Sequence, residues 1–113
     1  DFTTEGGASQ IAKLLERNPA LSAVFVGDDI MALGAMRQAQ AMGKRIPADL
    51  AIIGFGESPF SAHSQPPLST VCVPKRLIGA LGAQRLLALL QSDSEPLKIL
   101  APTKLIIRES SGG

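Results

Sequence analysis

The chain has 113 residues, of which 45% are hydrophobic and 19% charged, and its formal net charge is +1. This length suits one domain, and the composition is typical of a globular protein rather than a disordered one. A net charge near zero excludes a strongly basic surface for nucleic acid or an anionic membrane. No apolar run approaches the ~20 residues that span a bilayer. The single cysteine excludes an internal disulfide and fits a reducing cytoplasm.

The predicted elements alternate helices with strands along the chain. Helical spacing of apolar residues predicts the helices, and short apolar runs rich in β-branched residues predict the strands. The predicted helices are 8–17, 28–43 and 75–92, the predicted strands are 23–27, 50–55, 69–73 and 104–110, and a turn is predicted at 92–96. This order indicates an α/β fold, a parallel sheet with helices on both faces. Ligands of such sheets bind beyond the carboxyl ends of the strands, here at 27–29 and 56–57.

The predicted helix 28–43 carries two apolar residues on its polar side. On a helical wheel most of its apolar residues share one broad face, whereas Ile30 and Leu33 lie on the side of Arg37 and Gln40. These two residues are either scattered surface positions, which are common, or a contact with another chain.

Two adjacent carboxylates, Asp28 and Asp29, follow the predicted strand 23–27. Such a pair can perform acid–base chemistry, but either residue is also a favoured helix N-cap. We expect one of them to cap the helix that follows and the other to face the crevice at the strand ends.

The remaining motifs do not form a convincing catalytic set. The segment 54–56, Gly-Phe-Gly, is half of a dinucleotide-binding fingerprint, but Pro59 occupies the position of the third glycine. His63 and Cys72 are separated by a proline-rich loop, and two such residues are too few for a zinc site. Cys72 lies within an apolar strand, where a buried and inert thiol is the usual case. The residues therefore imply no metal and no cofactor, and they favour a binding module over an enzyme.

Three segments together carry a family resemblance. "AVFVGDDIMALGAMRQAQAMGKRIPADLAIIGF" contains a strand, an acidic pair, Met-Ala-x-Gly, a helix-ending glycine, Ile-Pro-x-Asp and a strand ending in Gly-Phe. "PPLSTVCVPKRLIGALGAQRLL" contains Pro-x-Leu-x-Thr-Val, a proline and a helix beginning near Ile-Gly, and "LIIRES" ends a last strand. In this order and spacing the motifs resemble the lactose/galactose repressor family of bacterial transcription regulators over nearly the whole chain.

The resemblance implies a two-lobed effector-binding core, similar to periplasmic sugar-binding proteins, behind an N-terminal helix-turn-helix headpiece. The chain has no initiator methionine or targeting segment, and we expect it to be the C-terminal part of such a core without the headpiece. Residues 1–74 and 103–110 would then belong mainly to the C-terminal lobe, and residues 75–102 would cross to the N-terminal lobe.

The resemblance also implies ligand-binding residues. Asp28 stands where the family usually has an effector-binding Asn, and Asp29 keeps the family's Asp, which we expect to cap the helix. Gly56 stands where the family usually has an Asp that accepts hydrogen bonds from sugar hydroxyls, so the pocket rim lacks that carboxylate. The other candidates, one beside Gly56 and two at crossover positions, are Glu57, Val73 and Lys75.

The implied function is that of a cytoplasmic regulator that binds a small sugar or sugar acid, forms a homodimer and contacts DNA only through the headpiece. Leu33 matches a position in the family's dimer interface, and the interface candidates are Ile30, Leu33, Arg37 and His63. Gly-Phe-Gly followed by an acid also resembles the gluconate-responsive branch of the family. Two alternatives remain: a fragment of a periplasmic sugar-binding protein, and a small α/β enzyme that lacks an evident nucleophile.

Overall fold

The computed structural model describes residues 2–91 and 98–113. Its helices and strands, in chain order, are α1 Thr4–Arg17, β1 Ala23–Phe25, α2 Asp29–Ala41, β2 Ala51–Phe55, β3 Ser69–Cys72, α3 Lys75–Leu90 and β4 Lys104–Ile106. Short 3-10 turns occupy Ser61–His63 and Glu109–Ser111. Each predicted helix and strand is present, but the strand predicted at 104–110 ends at Ile106, and a 3-10 turn follows it at Glu109–Ser111. The predicted turn at 92–96 and the last residue of the predicted helix 75–92 lie outside the described residues.

The four strands form one sheet in the order β1-β2-β3-β4. The strands β1, β2 and β3 are parallel neighbours, which confirms the predicted parallel sheet. The last strand differs from the prediction, because β4 runs antiparallel to β3 and pairs Lys104 with Cys72. The chain leaves β3 and re-enters the sheet at the same end of the strands, so β4 has to run back toward the start of β3. A parallel strand would need a crossover connection to the other end of the strands first.

The first two helices pack together and bury the core. Helix α1 begins at Thr4, earlier than the predicted start, because the side chain of Thr3 caps it by accepting from the N–H of Gly6 at 2.9 Å. The helices cross closely, since a Cβ added to Gly7 would overlap the backbone of Met31. The buried apolar residues are Ile11, Leu15, Val26, Ala32, Ala35, Met36, Ala39, Leu50, Ile52 and Leu68. Strand β1 was predicted to be buried, but its end residues are exposed.

The C-terminal turn packs on the sheet face opposite α2. Thr70 bonds to α2 through Asp29, whereas the neighbouring Ser69 accepts from the N–H of Arg108 at 2.7 Å. Successive strand residues point to opposite faces, so Arg108 and the turn after it lie on the second face. Ser110 fixes the turn there, since its hydroxyl donates to the carbonyl of Ile52 at 2.6 Å. Within the described ranges, this turn rather than a helix covers the second face.

Helix α3 stands away from this body. None of its residues is buried, and Leu86, Leu87 and Leu90 are 60%, 60% and 75% exposed. The molecule is accordingly elongated, with extents of 58, 26 and 20 Å. None of the described helices is both long and apolar enough to cross a membrane.

Candidate functional site

The five candidate ligand-binding residues lie at one edge of the sheet. The parallel strands β1, β2 and β3 end side by side, so Asp28 follows β1, Gly56 and Glu57 follow β2, and Val73 and Lys75 follow β3. All five are half-buried or exposed. We call this edge the strand-end site. It has the placement that binding sites take in parallel α/β sheets.

Asp28 is the N-cap of α2. Its Oδ1 accepts hydrogen bonds from the N–H groups of Ile30 at 2.8 Å and of Met31 at 3.2 Å. Its backbone is extended, as an N-cap requires, with φ −155° and ψ 143°. Both bonds go to one of the two carboxylate oxygens. Gly43 follows the other end of the helix with φ +83°, as predicted for its C′ residue.

Asp29 does not cap the helix, and that prediction is wrong. Its side chain is 1% exposed and points into the molecule. Thr70 Oγ1 donates to its Oδ1 at 2.6 Å, while Ser61 Oγ at 2.6 Å and the N–H of Ser58 at 2.7 Å donate to its Oδ2. The cap position falls to Asp28 because Asp29 is already helical, and its side chain turns toward the sheet.

Gly54 makes room for the buried carboxylate. A Cβ on Gly54 would overlap Asp29 Oδ1. The first glycine of the Gly-Phe-Gly segment therefore serves side-chain packing, and no dinucleotide-binding turn follows it. A glycine inside a strand often marks such a close approach, which is the signal that the sequence offered.

Gly56 and Glu57 form a turn with left-handed backbone. Their φ angles are +115° and +53°, and the N–H of Gly56 donates to the carbonyl of Val71 at 2.9 Å. Glycine adopts such a conformation without strain, whereas a residue with a Cβ does so at a cost. The glycine in place of the family's usual Asp thus coincides with a backbone shape that suits glycine.

Glu57 contacts Cys72 and keeps its thiol protonated. The hydrogen bond to the Glu57 carboxylate raises the pKa of Cys72 above its ordinary value, and partial burial and the charge of Glu57 add to this. Lys104 and Lys75 oppose the rise in pKa. Cys72 is half-buried rather than buried, but a protonated thiol is a poor nucleophile.

Lys104 is a member of the strand-end site that the sequence did not reveal. It reaches this edge only because β4 is antiparallel and pairs Lys104 with Cys72. A second cation therefore lies near Cys72, together with Lys75 at the start of α3. Predicting the position of Lys104 would have required the antiparallel register of β4.

A groove of about 500 Å³ lies between α2, the start of α1 and the loop after β2. Leu33, Arg37 and His63 line it together with Phe60, which is 64% exposed. We call it the α2 groove. It brings together three of the four candidate interface residues, whereas Ile30, which is half-buried, is not among its lining residues.

His63 and Cys72 do not form a pair. His63 lines the α2 groove, and Cys72 lies in β3 beside the strand-end site. In the part of the chain that the structure describes, no group of three His, Cys, Asp or Glu side chains could hold a metal ion.

The family model described as a periplasmic binding protein-like domain matches residues 1–111. The lac repressor dimer bound to operator and the anti-inducer ONPF superimposes on the chain with a TM-score of 0.90 at 32% sequence identity, over 98% of this chain and 39% of that one. The chain belongs to the lactose/galactose repressor family. Its predicted periplasmic-binding-protein-like α/β fold class is thereby confirmed.

Other relatives are transcription regulators as well. The regulator CelR of Thermobifida fusca is 36% identical over 97% of this chain and 33% of its own length. The transcriptional regulator CelR–cellobiose complex superimposes with a TM-score of 0.91 at 36% identity, over 98% of this chain and 34% of that one. The ribose operon repressor of Haemophilus influenzae is 38% identical over 96% of this chain and 33% of its own length. The chain thus spans about a third of the length of these curated relatives.

Proposed function

We propose that this chain is the effector-binding and dimerising part of a bacterial transcription regulator that senses a small sugar or sugar acid. The observation that carries the proposal is the strand-end site, where polar and charged residues from three parallel strands meet in a member of a repressor family. The similar regulator CelR in complex with cellobiose supports a sugar-like ligand. A fragment of a periplasmic sugar-binding protein has less support, since these relatives are named as regulators and repressors.

The protein would act on DNA in the cytoplasm, through a headpiece outside this chain. The near-neutral charge of the chain supports this division, because DNA binding depends on clustered basic residues. We propose no catalytic activity and no cofactor, since the strand-end site pairs a protonated thiol with carboxylates that already have structural partners.

The exposure of α3 supports a lobe assignment. We propose that 1–74 and 103–110 belong mainly to the C-terminal lobe and that 75–102 cross to the N-terminal lobe. Support comes from the exposure of α3, whose apolar residues have no cover in the described chain. An apolar helix of this kind is stable only when another part of the protein packs on it.

The chemistry of the strand-end site favours an anionic sugar derivative such as gluconate. A carboxylate has about four lone-pair sites, so Asp28 can cap α2 and still accept from a ligand hydroxyl. Gly56 removes a carboxylate that would repel an acidic ligand, and Lys75 and Lys104 supply positive charge nearby. Glu57 and Val73 complete the rim, with Glu57 directed to Cys72.

The α2 groove is the proposed dimer contact. Its walls combine Leu33 and the exposed Phe60 with Arg37 and His63, a mixture of apolar, aromatic and Arg side chains that is typical of interfaces. The similar lac repressor is a dimer in its complex with operator. Ile30 would lie beside this contact rather than in it.

Calorimetry on the full-length protein tests the proposal, with gluconate, glucose and cellobiose as ligands. We expect gluconate to bind more tightly than either neutral sugar and to change the affinity for operator DNA in a fluorescence titration. A protein that binds no sugar or sugar acid and stays monomeric would contradict the proposal.

A further inference from the structure

The buried carboxylate of Asp29 serves two regions through two different oxygens. Its Oδ1 accepts from Thr70 Oγ1 at 2.6 Å. Its Oδ2 accepts from Ser61 Oγ at 2.6 Å and from the N–H of Ser58 at 2.7 Å. All three donors are far from Asp29 in the sequence, and each fixes a segment whose position no local rule determines.

The hydrogen bond at Oδ1 connects Asp29 to the strand-end site. Thr70 Oγ1 also accepts from the N–H of Glu57, at 3.4 Å, and thereby holds the turn that carries Gly56 and Glu57. Thr70 is fully buried. Its hydroxyl is therefore directed by Asp29 on one side and holds the rim of the site on the other.

The two hydrogen bonds at Oδ2 connect Asp29 to the α2 groove. Ser58 and Ser61 flank Phe60, and Ser61 begins the 3-10 turn that ends at His63. Phe60 and His63 form the wall of the groove that faces α2. Ser61 is fully buried, so its bond to Asp29 is shielded from water.

An ionised carboxylate fits this position better than any other side chain of its size. It only accepts hydrogen bonds, and all three partners are donors. An amide would turn an N–H toward one of these donors and leave both unsatisfied in a site that water does not reach. Gly54 leaves the space that the carboxylate fills.

We infer that Asp29 is a positioning residue that sets the rim of the strand-end site and the wall of the α2 groove, each through its own oxygen. The inference rests on the proposed function, because it assigns ligand binding to the first region and dimerisation to the second.

The test compares three variants of the full-length protein. Thr70→Val removes the partner of Oδ1, and Ser61→Ala removes one partner of Oδ2. Asp29→Asn disturbs the hydrogen bonds at both oxygens. We measure the gluconate dissociation constant by calorimetry and the dimer dissociation constant by sedimentation equilibrium. Thr70→Val is expected to weaken gluconate binding about tenfold, Ser61→Ala to weaken dimerisation about tenfold, and Asp29→Asn to weaken both, as the loss of one charge-assisted hydrogen bond predicts.

Ile11→Val provides the matched control for stability. Ile11 is buried in α1 and 2% exposed, and it lines neither region. This variant should lower the melting temperature and leave both dissociation constants unchanged. If Asp29→Asn does not fold, the contrast between Thr70→Val and Ser61→Ala still decides the question.

The inference is overturned if Thr70→Val and Ser61→Ala change both constants equally, or change neither, in a protein that binds gluconate and dimerises. A wild-type protein that does neither would instead contradict the proposed function. The two failures are therefore distinguishable.

Discussion

Helices α2 and α3 have similar apolar content but opposite surroundings. Helix α2 buries Ala32, Ala35, Met36 and Ala39 against α1 and the sheet, whereas α3 buries none of its residues. Most apolar residues of α2 share one side of the helix, with Ile30 and Leu33 as exceptions, whereas those of α3 are spread around it. One apolar side can be covered by a single domain, but a helix that is apolar all round needs partners on several sides.

The largest expected effect concerns the second side of α2, where Leu33 lies in the groove. Leu33→Ala in the full-length protein should weaken dimerisation by a few orders of magnitude. A buried leucine contributes roughly 1.5–3 kcal/mol by transfer alone, and truncation also leaves a cavity. A two-fold interface contains the residue twice, which doubles the loss. Sedimentation equilibrium measures the dimer dissociation constant.

Leu14→Ala is the matched control for that experiment. Leu14 is a leucine of α1 that is 39% exposed and does not line the α2 groove. It should leave the dimer dissociation constant unchanged. An unchanged dimer in the Leu33→Ala protein would reject the groove as the interface, and α2 would then differ from α3 only in its core-facing side.

The comparison between the helices can be tested directly with Met36→Ala in α2 and Leu87→Ala in α3. Met36 is 2% exposed, so its truncation should cost about 2–5 kcal/mol of unfolding free energy. Leu87 is 60% exposed in the described chain. If the rest of the full-length protein covers α3, Leu87→Ala should cost a similar amount, measured by urea denaturation. A loss within about 0.5 kcal/mol, typical of surface positions, would contradict the proposed crossing to the other lobe.

The sequence predicted the helices and strands because their signals are local. The capping acid and Gly43 bracket α2, and β-branched runs mark β2 and β3. It did not predict the direction of β4, because the apolar pattern of a strand carries no information about the direction of its neighbour. That direction alone brings Lys104 to Cys72.

The roles of the two adjacent acids also could not be separated from the sequence. Asp28 and Asp29 are equally good N-caps, and the choice depends on where the backbone becomes helical. The three donors to Asp29 come from segments far along the chain, so only the folded structure brings them together. The dimer and ligand assignments at Leu33 and Gly56 came from the family resemblance and remain predictions.

The strand-end site lies between the two helices, since Asp28 caps α2 and Lys75 begins α3. Asp28→Asn should weaken gluconate binding about tenfold or more, because a charge-assisted hydrogen bond contributes about 1.5–3 kcal/mol. Gly56→Asp should weaken gluconate binding more than glucose binding, since a carboxylate repels an acidic ligand. Calorimetry on the full-length protein measures all of these affinities.

Gly56→Asn separates charge from backbone strain in that experiment. Gly56 has φ +115°, so any side chain there is strained, and Asn has nearly the shape of Asp without its charge. Gluconate should bind the Asn variant more tightly than the Asp variant. Equal affinities in the wild-type, Asp28→Asn and Gly56→Asp proteins would leave Asp28 with its capping role alone.

The smallest expected effect is at Cys72, beside the turn that precedes α3. Its pKa is raised, first by the hydrogen bond to Glu57, so its reactive thiolate appears at higher pH than in a free cysteine. Glu57→Gln removes the negative charge that disfavours the thiolate, while Lys75 and Lys104 continue to favour it. The pKa should therefore fall, and a maleimide should label Cys72 several-fold faster near pH 8.

Lys75→Gln should do the opposite and slow labelling, because it removes a cation that lowers the pKa. Identical labelling rates in the wild type and both variants would show that access, not charge, controls this thiol, and fast labelling of the wild type would restore Cys72 as a candidate nucleophile.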